Sequence, residues 1–466
     1  SSTSRGSRPA GALALNMASP DGAAYSAEDG ETRFDPSTIP NTNANGGVGT
    51  GIVFQSIGPE GDAMNFAYRT GPTSISGNPS GDTRWTREGS PYVIQSNFTV
   101  SNGDSLVIDS GVVVKFQPST RLIVLGTIVA QGAVGDTIAF TSIKDDYWGG
   151  DTNANGPSSG AAGDWQSIWI DGPDAPCSLA YCMIRYAGQF VNVSGYGYYQ
   201  AIYMQGSGSQ LSLVNTSVSY TLGVSDNYSY GYAIWTRPGT NLQMSGVTVH
   251  SSSYDAIQND GTITMTGCQV TSSGRYGINN TGALTVLNSQ FLNNATYGIY
   301  STGAGTVVRN SRFSGNLSSG LAFAGSAPIA VADTCYSNFH GLNFADGIVP
   351  AEFHDNLCYG NSSSDYIVPP REVDDVWLEN ASDDSGVIGI RSGSLEASSQ
   401  WIDDFVYHIY NSPTIPANKT LTVEPGAVFK FTTATNLTVN GVLVAEGMQG
   451  DEIVFSCDAL GLRPLW

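Results

Sequence analysis

Between Ala233 and Leu342 an apolar pair or near-pair returns at Ala233-Ile234, Ala256-Ile257, Gly277-Ile278, Gly298-Ile299, Gly320-Leu321 and Gly341-Leu342, at spacings of 23, 21, 21, 22 and 21 residues. Each repeat adds short alternating runs, such as Ile263 to Met265, Leu284 to Val286 and Val307 to Val308. A single apolar position follows, filled by Val270, Phe291, Phe313 or Cys335, and Gly, Ser and Asn separate the pieces. Alternation over three to five residues has the period of a strand and is too short for a helix. The pattern predicts an all-β solenoid in which every 21–23 residues make one coil of three short strands. Stacked coils would share backbone hydrogen bonds and bury one narrow apolar column, so that no coil is stable alone.

Three residues beyond that single apolar position stand Ser252, Ser273, Asn294, Asn316, Asn338 and Asn361. A polar residue recurring at the coil period inside an apolar repeat suggests a ladder, each side chain bonded to its equivalent in the next coil. The plainer reading is that Asn is common in turns.

Before the repeats, residues 1 to about 37 are rich in Gly, Ala, Ser, Pro and Asp and read as an irregular arm. Two short alternating runs, Gly51 to Ile57 and Ala63 to Tyr68, follow, and residues 71 to 88 form a polar linker. Leu106 to Phe116 is matched by Leu421 to Phe431 at an offset of 315 residues, and the offset holds from Leu122 to Leu437 and from Asp136 to Asp451. A match of this length without insertion marks a duplicated module. The expected organisation is an arm with a small β segment and linker over 1–88, a first module over 89–398 and the start of a second over 399–466. Tyr92 and Tyr407 correspond across the two copies, and Trp85 and Trp401 nearly so.

The run L-V-I-D-S-G-V-V-V-K-F and its second copy L-T-V-E-P-G-A-V-F-K-F resemble the opening coils of right-handed parallel β-helix domains in large secreted bacterial proteins. The middle repeats resemble the parallel β-helix repeat shared by pectate lyases and many surface proteins. The resemblance implies a right-handed, single-stranded parallel β-helix, a hand that parallel crossovers also favour. It leaves function open, because lyases, hydrolases, adhesins and stalks share the fold. Residues 30 to 70 weakly resemble the closing segment of secreted metallopeptidases of the immune-inhibitor A type. No His-Glu-x-x-His motif accompanies them, so no zinc peptidase activity is implied.

Composition narrows the partners. Asp and Glu number 40 against 19 Lys and Arg, a formal charge of −21, which argues against a nucleic-acid partner. No apolar run is long enough to span a bilayer, and the expected location is extracellular or cell-surface. The six Cys form no dense disulfide framework; Cys177 with Cys182, and Cys335 with Cys358 one coil later, would either bridge or remain buried thiols. Sequons at Asn294, Asn316 and Asn361 fall on the proposed ladder, where a glycan has no room.

Two groups of residues carry candidate chemistry. In Lys144 to Gly156, reading K-D-D-Y-W-G-G-D-T-N-A-N-G, oxygen side chains at Asp151, Asn153 and Asn155 precede Gly156 as in the start of a calcium loop, although Ala162 stands where that loop needs Glu. Asp145 and Asp146 would complete a Ca²⁺ site; the other reading is a solvated acidic loop. Tyr196, Tyr198 and Tyr199 on one predicted loop, and Tyr228, Tyr230 and Tyr232 on the next, would form an aromatic patch for a polysaccharide or protein partner, or pack on one another. Asp255 and Asp260 read as isolated, and the arginines share no coil position, so the sequence weighs against an enzyme without settling the point. The expectation is therefore an extracellular structural or adhesive repeat protein, able to assemble end to end into a homo-polymer or larger surface assembly. The alternative is a carbohydrate-active β-helix.

Overall fold

The computed structural model of the protein describes residues 33–34, 52–55, 67–172, 176–193, 196–223, 229–382 and 386–457. Most of the N-terminal arm lies outside these residues. The chain is a right-handed parallel β-helix with three strands to the turn. Among the described residues a long sheet runs from Phe98–Val100 to Val454–Cys457, a second from Thr83–Trp85 to Glu352–His354 and a third from Thr73–Ile75 to Leu357–Tyr359. Ahead of them, Arg33–Phe34, Ile52–Gln55 and Ala67–Thr70 make a small antiparallel sheet.

The apolar period becomes the column. Ile202, Ile234, Ile257, Ile278, Ile299, Leu321 and Leu342 lie one above another in the long sheet, all fully buried. Val249, Val270, Phe291, Phe313, Cys335 and Cys358 do the same in the third. Phe291 and Phe313 are stacked with ring centroids 5.1 Å apart. Cys335 and Cys358 are stacked free thiols, and Cys177 and Cys182 are unbridged as well.

Corners recur as regularly as strands. One bend in each coil is held at positive φ by Asn215, Gly246, Gly267, Asn288, Asn310, Ala332 and Asp355, the next by Tyr220, Ser251, Ser272, Asn293, Gly315, Ser337 and Gly360. Left-handed backbone favours Asn, Asp and Gly, which explains much of the chain's polar punctuation. The small residue ahead of each leading Ile or Leu has a different cause. A Cβ on Gly298 would lie 2.4 Å from the Gly320 carbonyl, so neighbouring coils approach too closely there for a side chain.

The expected ladder is present. Ser273 Oγ donates to Asn294 Oδ1 at 2.7 Å, and Nδ2 of Asn294, Asn316 and Asn338 donates to the next Asn at 2.9, 2.9 and 3.1 Å. Each Oδ1 also accepts the backbone N–H of the preceding ladder residue. Ser252 does not join, because its hydroxyl turns to the Asp255 carbonyl. A second ladder, unread in the sequence, runs along the other corner: backbone N–H groups of Cys268, Ser289, Ser311, Asp333 and Asn356 donate to side-chain oxygens of Ser289, Ser311, Asp333, Asn356 and Asn380.

Near residue 370 the third corner is interrupted by the helix Val373–Leu378, whose Asp374 accepts the Ser399 hydroxyl. The coil period is thus broken here by a short helix. The long sheet continues through Val387–Ile390 and Val406–Ile409, while the other two positions restart as short new sheets. The duplicated stretches pair alike. Trp85 stacks on Tyr92 and Trp401 on Tyr407, each pair 5.0 Å apart.

Removing a ladder rung leaves several buried groups bare. Asn316→Ala should cost on the order of 3 kcal/mol or more in chemical denaturation, since each orphaned buried group costs about 1–3 kcal/mol; an unchanged midpoint would refute the ladder's role. The second ladder contains a carboxyl. Asp333 Oδ1 accepts from Ser311, its Oδ2 has no partner, and burial pushes it from 3.8 up to about 8. The folded state then holds a proton the unfolded chain releases, so stability is full below pH 3.8 and is lost as pH rises through about 8. Asp333→Asn should flatten that decline in melting curves taken from pH 4 to pH 9.

Candidate functional site

The acidic loop is organised around the protein's own cations. Asp145, buried, accepts both prongs of Arg185, Nη2 to Oδ1 at 2.7 Å and Nε to Oδ2 at 2.8 Å, and the Thr141 hydroxyl at 2.5 Å. Asp146 Oδ2 accepts the Ser158 N–H and hydroxyl, and Asp151 accepts the N–H groups of Asn155 and Gly156. Lys115, fully buried, donates to the Gly150 carbonyl. Burial pushes its ammonium down to about 8, against the attraction of Asp146, Asp145 and Asp151. Asn155 Oδ1 takes the Ser158 hydroxyl, and Asn153 Oδ1 and Asp146 Oδ1 are buried without partners.

Among the described residues no three His, Cys, Asp or Glu converge as a metal site. Of the five residues expected to hold Ca²⁺, Asp145 is fully engaged by Arg185 and Thr141, whereas Asp146 Oδ1 and Asn153 Oδ1 keep an unpartnered oxygen. The two carboxylates meant to complete its shell are turned to Arg185 and to the Ser158 N–H, and an ammonium supplies the positive charge.

The tyrosines lie on strands rather than loops. Tyr196–Met204 and Ser229–Thr236 extend beyond their coils as a parallel pair, with Val191–Val193 antiparallel to the first. Tyr and alternating small residues suit extended backbone once a neighbouring strand is available. The register sets Tyr198 beside Tyr230 and Gln200 beside Tyr232. Tyr228 lies outside the described residues, and Tyr196, Tyr198 and Tyr230 are described by backbone alone. Tyr199 packs on Phe190 at 5.4 Å, and Tyr232 is buried against Trp235 at 5.1 Å.

Tyr232 belongs to a row that the sequence reading passed over. The residue directly ahead of each apolar pair runs Gln200, Tyr232, Asp255, Tyr276, Tyr297, Ser319, His340, one per coil. A second row on the outer face of the same strands runs Trp169, Tyr203, Trp235, Gln258, Asn279, Tyr300. The two rows touch within a coil, Tyr232 on Trp235 and Tyr297 on Tyr300, the latter at 5.2 Å. They also touch between coils, Tyr276 on Tyr297 at 5.4 Å and on Tyr300 at 5.9 Å. The 21-residue spacing of Tyr276 and Tyr297 was the available signal.

Four coils thus form a stripe that is aromatic at both ends and polar between. In its middle Arg275 grips Asp255 with Nε to Oδ1 at 2.7 Å and Nη2 to Oδ2 at 2.6 Å, and lies between the rings of Tyr254 and Tyr276 at 4.2 and 4.0 Å. Burial lifts the Asp255 carboxyl, with the Arg275 bond opposing; burial also works to lower Arg275, but the Asp255 bond together with the attraction of the neighbouring charge raises it. The two-pronged geometry requires the ionised pair. Asp260, at the other end of the same strand, accepts Trp235 Nε1 at 2.8 Å, Gln258 Nε2 at 2.5 Å and the Thr281 hydroxyl at 2.8 Å. Asp255 and Asp260 are thus not isolated, but five steps of extended chain separate them by about 16 Å, too far to share one glycosidic bond. Gln258 Oε1, and both polar atoms of Gln200, are buried without partners. Buried polar atoms are nearly always satisfied, so Gln258 Oε1 marks the stripe as a place where hydrogen-bonding material is missing, while Gln200 lies one coil before it.

Residues 168–362 match the family described as "Right handed beta helix region". A 51-residue stretch is 43% identical to Protein bark beetle of Drosophila melanogaster; it covers 11% of this chain and 2% of that protein's length. Among solved structures, the periplasmic alginate epimerase AlgG is 8% identical with a TM-score of 0.30, covering 78% of each chain. The Azotobacter vinelandii Mannuronan C-5 epimerase AlgE4 A-module is 12% identical with a TM-score of 0.30, covering 84% of this chain and 91% of its own. Likeness at this level is one of fold and transfers no activity. One expectation is corrected by the structure itself: Asp255 and Asp260 are not isolated, so their isolation is no ground for weighing against an enzyme. Among the described residues no helix is long and apolar enough to cross a membrane.

If Lys115 is the cation of the acidic loop, EDTA should leave the melting temperature unchanged, whereas Lys115→Met should destabilise by about 3–5 kcal/mol, the usual cost of stripping one partner from buried opposite charges. A large shift on chelation would restore a metal to the loop.

Proposed function

We propose that this protein is an extracellular β-helix that holds a polysaccharide along the outer flank of its long sheet. The observation that carries the reading is the stripe from Tyr232 and Trp235 to Tyr297 and Tyr300, with Arg275, Asp255 and Gln258 between its aromatic ends. Rings present apolar faces to the C–H side of a sugar, and amide and carboxylate groups pair with hydroxyls. Coils repeat about every 4.8 Å, so four of them span about 14 Å, a length that suits an extended chain better than a single ring. Part of each of Tyr254, Arg275, Tyr276, Tyr297 and Tyr300 reaches solvent, and each is fixed by neighbours on a rigid sheet. Such a surface binds without ordering loops, which keeps the entropy cost small.

Affinity electrophoresis through gels cast with polysaccharides provides the test. Wild-type protein should be retarded by at least one glycan, and Tyr276→Ala with Tyr297→Ala should weaken retention about a hundredfold, taking roughly tenfold for each ring at 1.4 kcal/mol. Circular dichroism should show the β-helix intact. Equal retention of the double variant would remove the stripe from the function.

A further inference from the structure

Resting on that reading, we infer that the glycan held along the stripe is uncharged, and that polyuronates and sulfated chains are excluded. The inference comes from how the stripe spends its positive charge. A polyanion is recognised by cations left free to meet it, usually with two guanidinium N–H groups per carboxylate or sulfate. The guanidinium in the middle of the stripe is already taken, because Arg275 is held by both oxygens of buried Asp255. At the Trp235 end, Arg237 lies 4.9 Å over the indole ring and 3.9 Å from Asp260, whose other bonds hold Trp235 and Gln258 in place. Both cations at the stripe, Arg275 and Arg237, thus lie against a carboxylate before any ligand arrives.

Two flanking groups do not change the balance. Arg121 stacks over Trp169 at 4.1 Å, two coils before Trp235 in the same row, on the part of the outer face that Val191 covers. Beyond the stripe His340 follows in the same row, and burial together with Arg391 pushes its imidazole down to about 4, so it is neutral at pH 7. The field of the whole chain works in the same direction, since a formal charge of −21 repels a polyanion at long range. What the stripe offers is suited to hydroxyls, which donate and accept. Gln258 Oε1 lacks a partner, Asn279 stands one coil after it, and rings bracket the two.

The test uses the same gels with two sets of probes: dextran, laminarin and galactomannan as neutral chains, alginate and polygalacturonate as charged ones. At least one neutral chain should retard the protein, with retention changing less than about twofold between about 0.02 and 0.5 M NaCl, over which exposed charges become strongly screened. Asp255→Asn, which frees Arg275, should bring measurable binding to alginate at low salt, lost at high salt. Retention of the wild type by a polyuronate in preference to all neutral chains, abolished by Tyr276→Ala, would overturn the inference while upholding the glycan site. Failure of every probe to retard the protein would overturn both.

Discussion

The structure depends on one constraint: the backbone N–H that follows each corner must find its partner in the neighbouring coil, where a side-chain oxygen receives it. Strands supply this through parallel backbone pairing, but corners bend at left-handed residues and break the pairing. The two side-chain ladders fill that gap. In the first, each Asn amide bridges the next Asn and also takes a backbone N–H, and its Nδ2 reaches a carbonyl such as that of Phe291 or Phe313. A corner therefore becomes as continuous along the axis as a strand, and the buried column of Ile, Val and Phe can close without stranding donors inside it.

This division of labour decides where function can reside. Inward positions are fixed by volume, corners by hydrogen bonding, and the residue ahead of each leading Ile or Leu by the close approach of the next coil. What remains variable is the outer face of each sheet and the position two before the leading residue. The long sheet uses both as adjacent rows. Because the register between coils admits no slippage, residues 21 apart in sequence are immediate neighbours in space, and a row can change from Tyr to Asp to Tyr in successive coils without disturbing the column.

The same logic explains what could be read from the chain alone. Column, strand count per coil, duplicated opening and Asn ladder were all legible, because each is a strict repeat at one period. The second ladder was not, since it mixes Ser, Asp and Asn, residues that also occur wherever a chain turns. The aromatic stripe is half visible in the sequence: Tyr232 stands in a tyrosine-rich run, while Tyr276 and Tyr297, one step ahead of the very pairs that set the repeat, are single residues in otherwise ordinary coils. Arg275 and Asp255 defeat sequence reading for a plainer reason. They stand 20 residues apart and at different positions in their coils, and only the stacking turns that separation into a two-pronged ion pair. The charge around the acidic loop was not legible either, because nothing local to residues 145–155 reveals that Lys115 and Arg185 arrive from other coils.

Outer aromatic residues are not all available for binding, and the insertion between residues 187 and 200 decides which are. Trp169 and Tyr203 continue the outer row toward the N-terminus, with Tyr203 5.2 Å from both Trp169 and Trp235, yet they are buried under Val191 in a small cluster of their own. Their burial anchors the protruding strands Val191–Val193 and Tyr196–Met204 to the flank. The hairpin thereby ends the open part of the row at Trp235, which stays partly exposed. One aromatic ladder thus does two jobs: its covered half holds the hairpin as a wall, and its open half is the first platform of the stripe. A wall at one end and tyrosines set on successive coils at the other give the flank a direction and a length, which a featureless solenoid surface lacks.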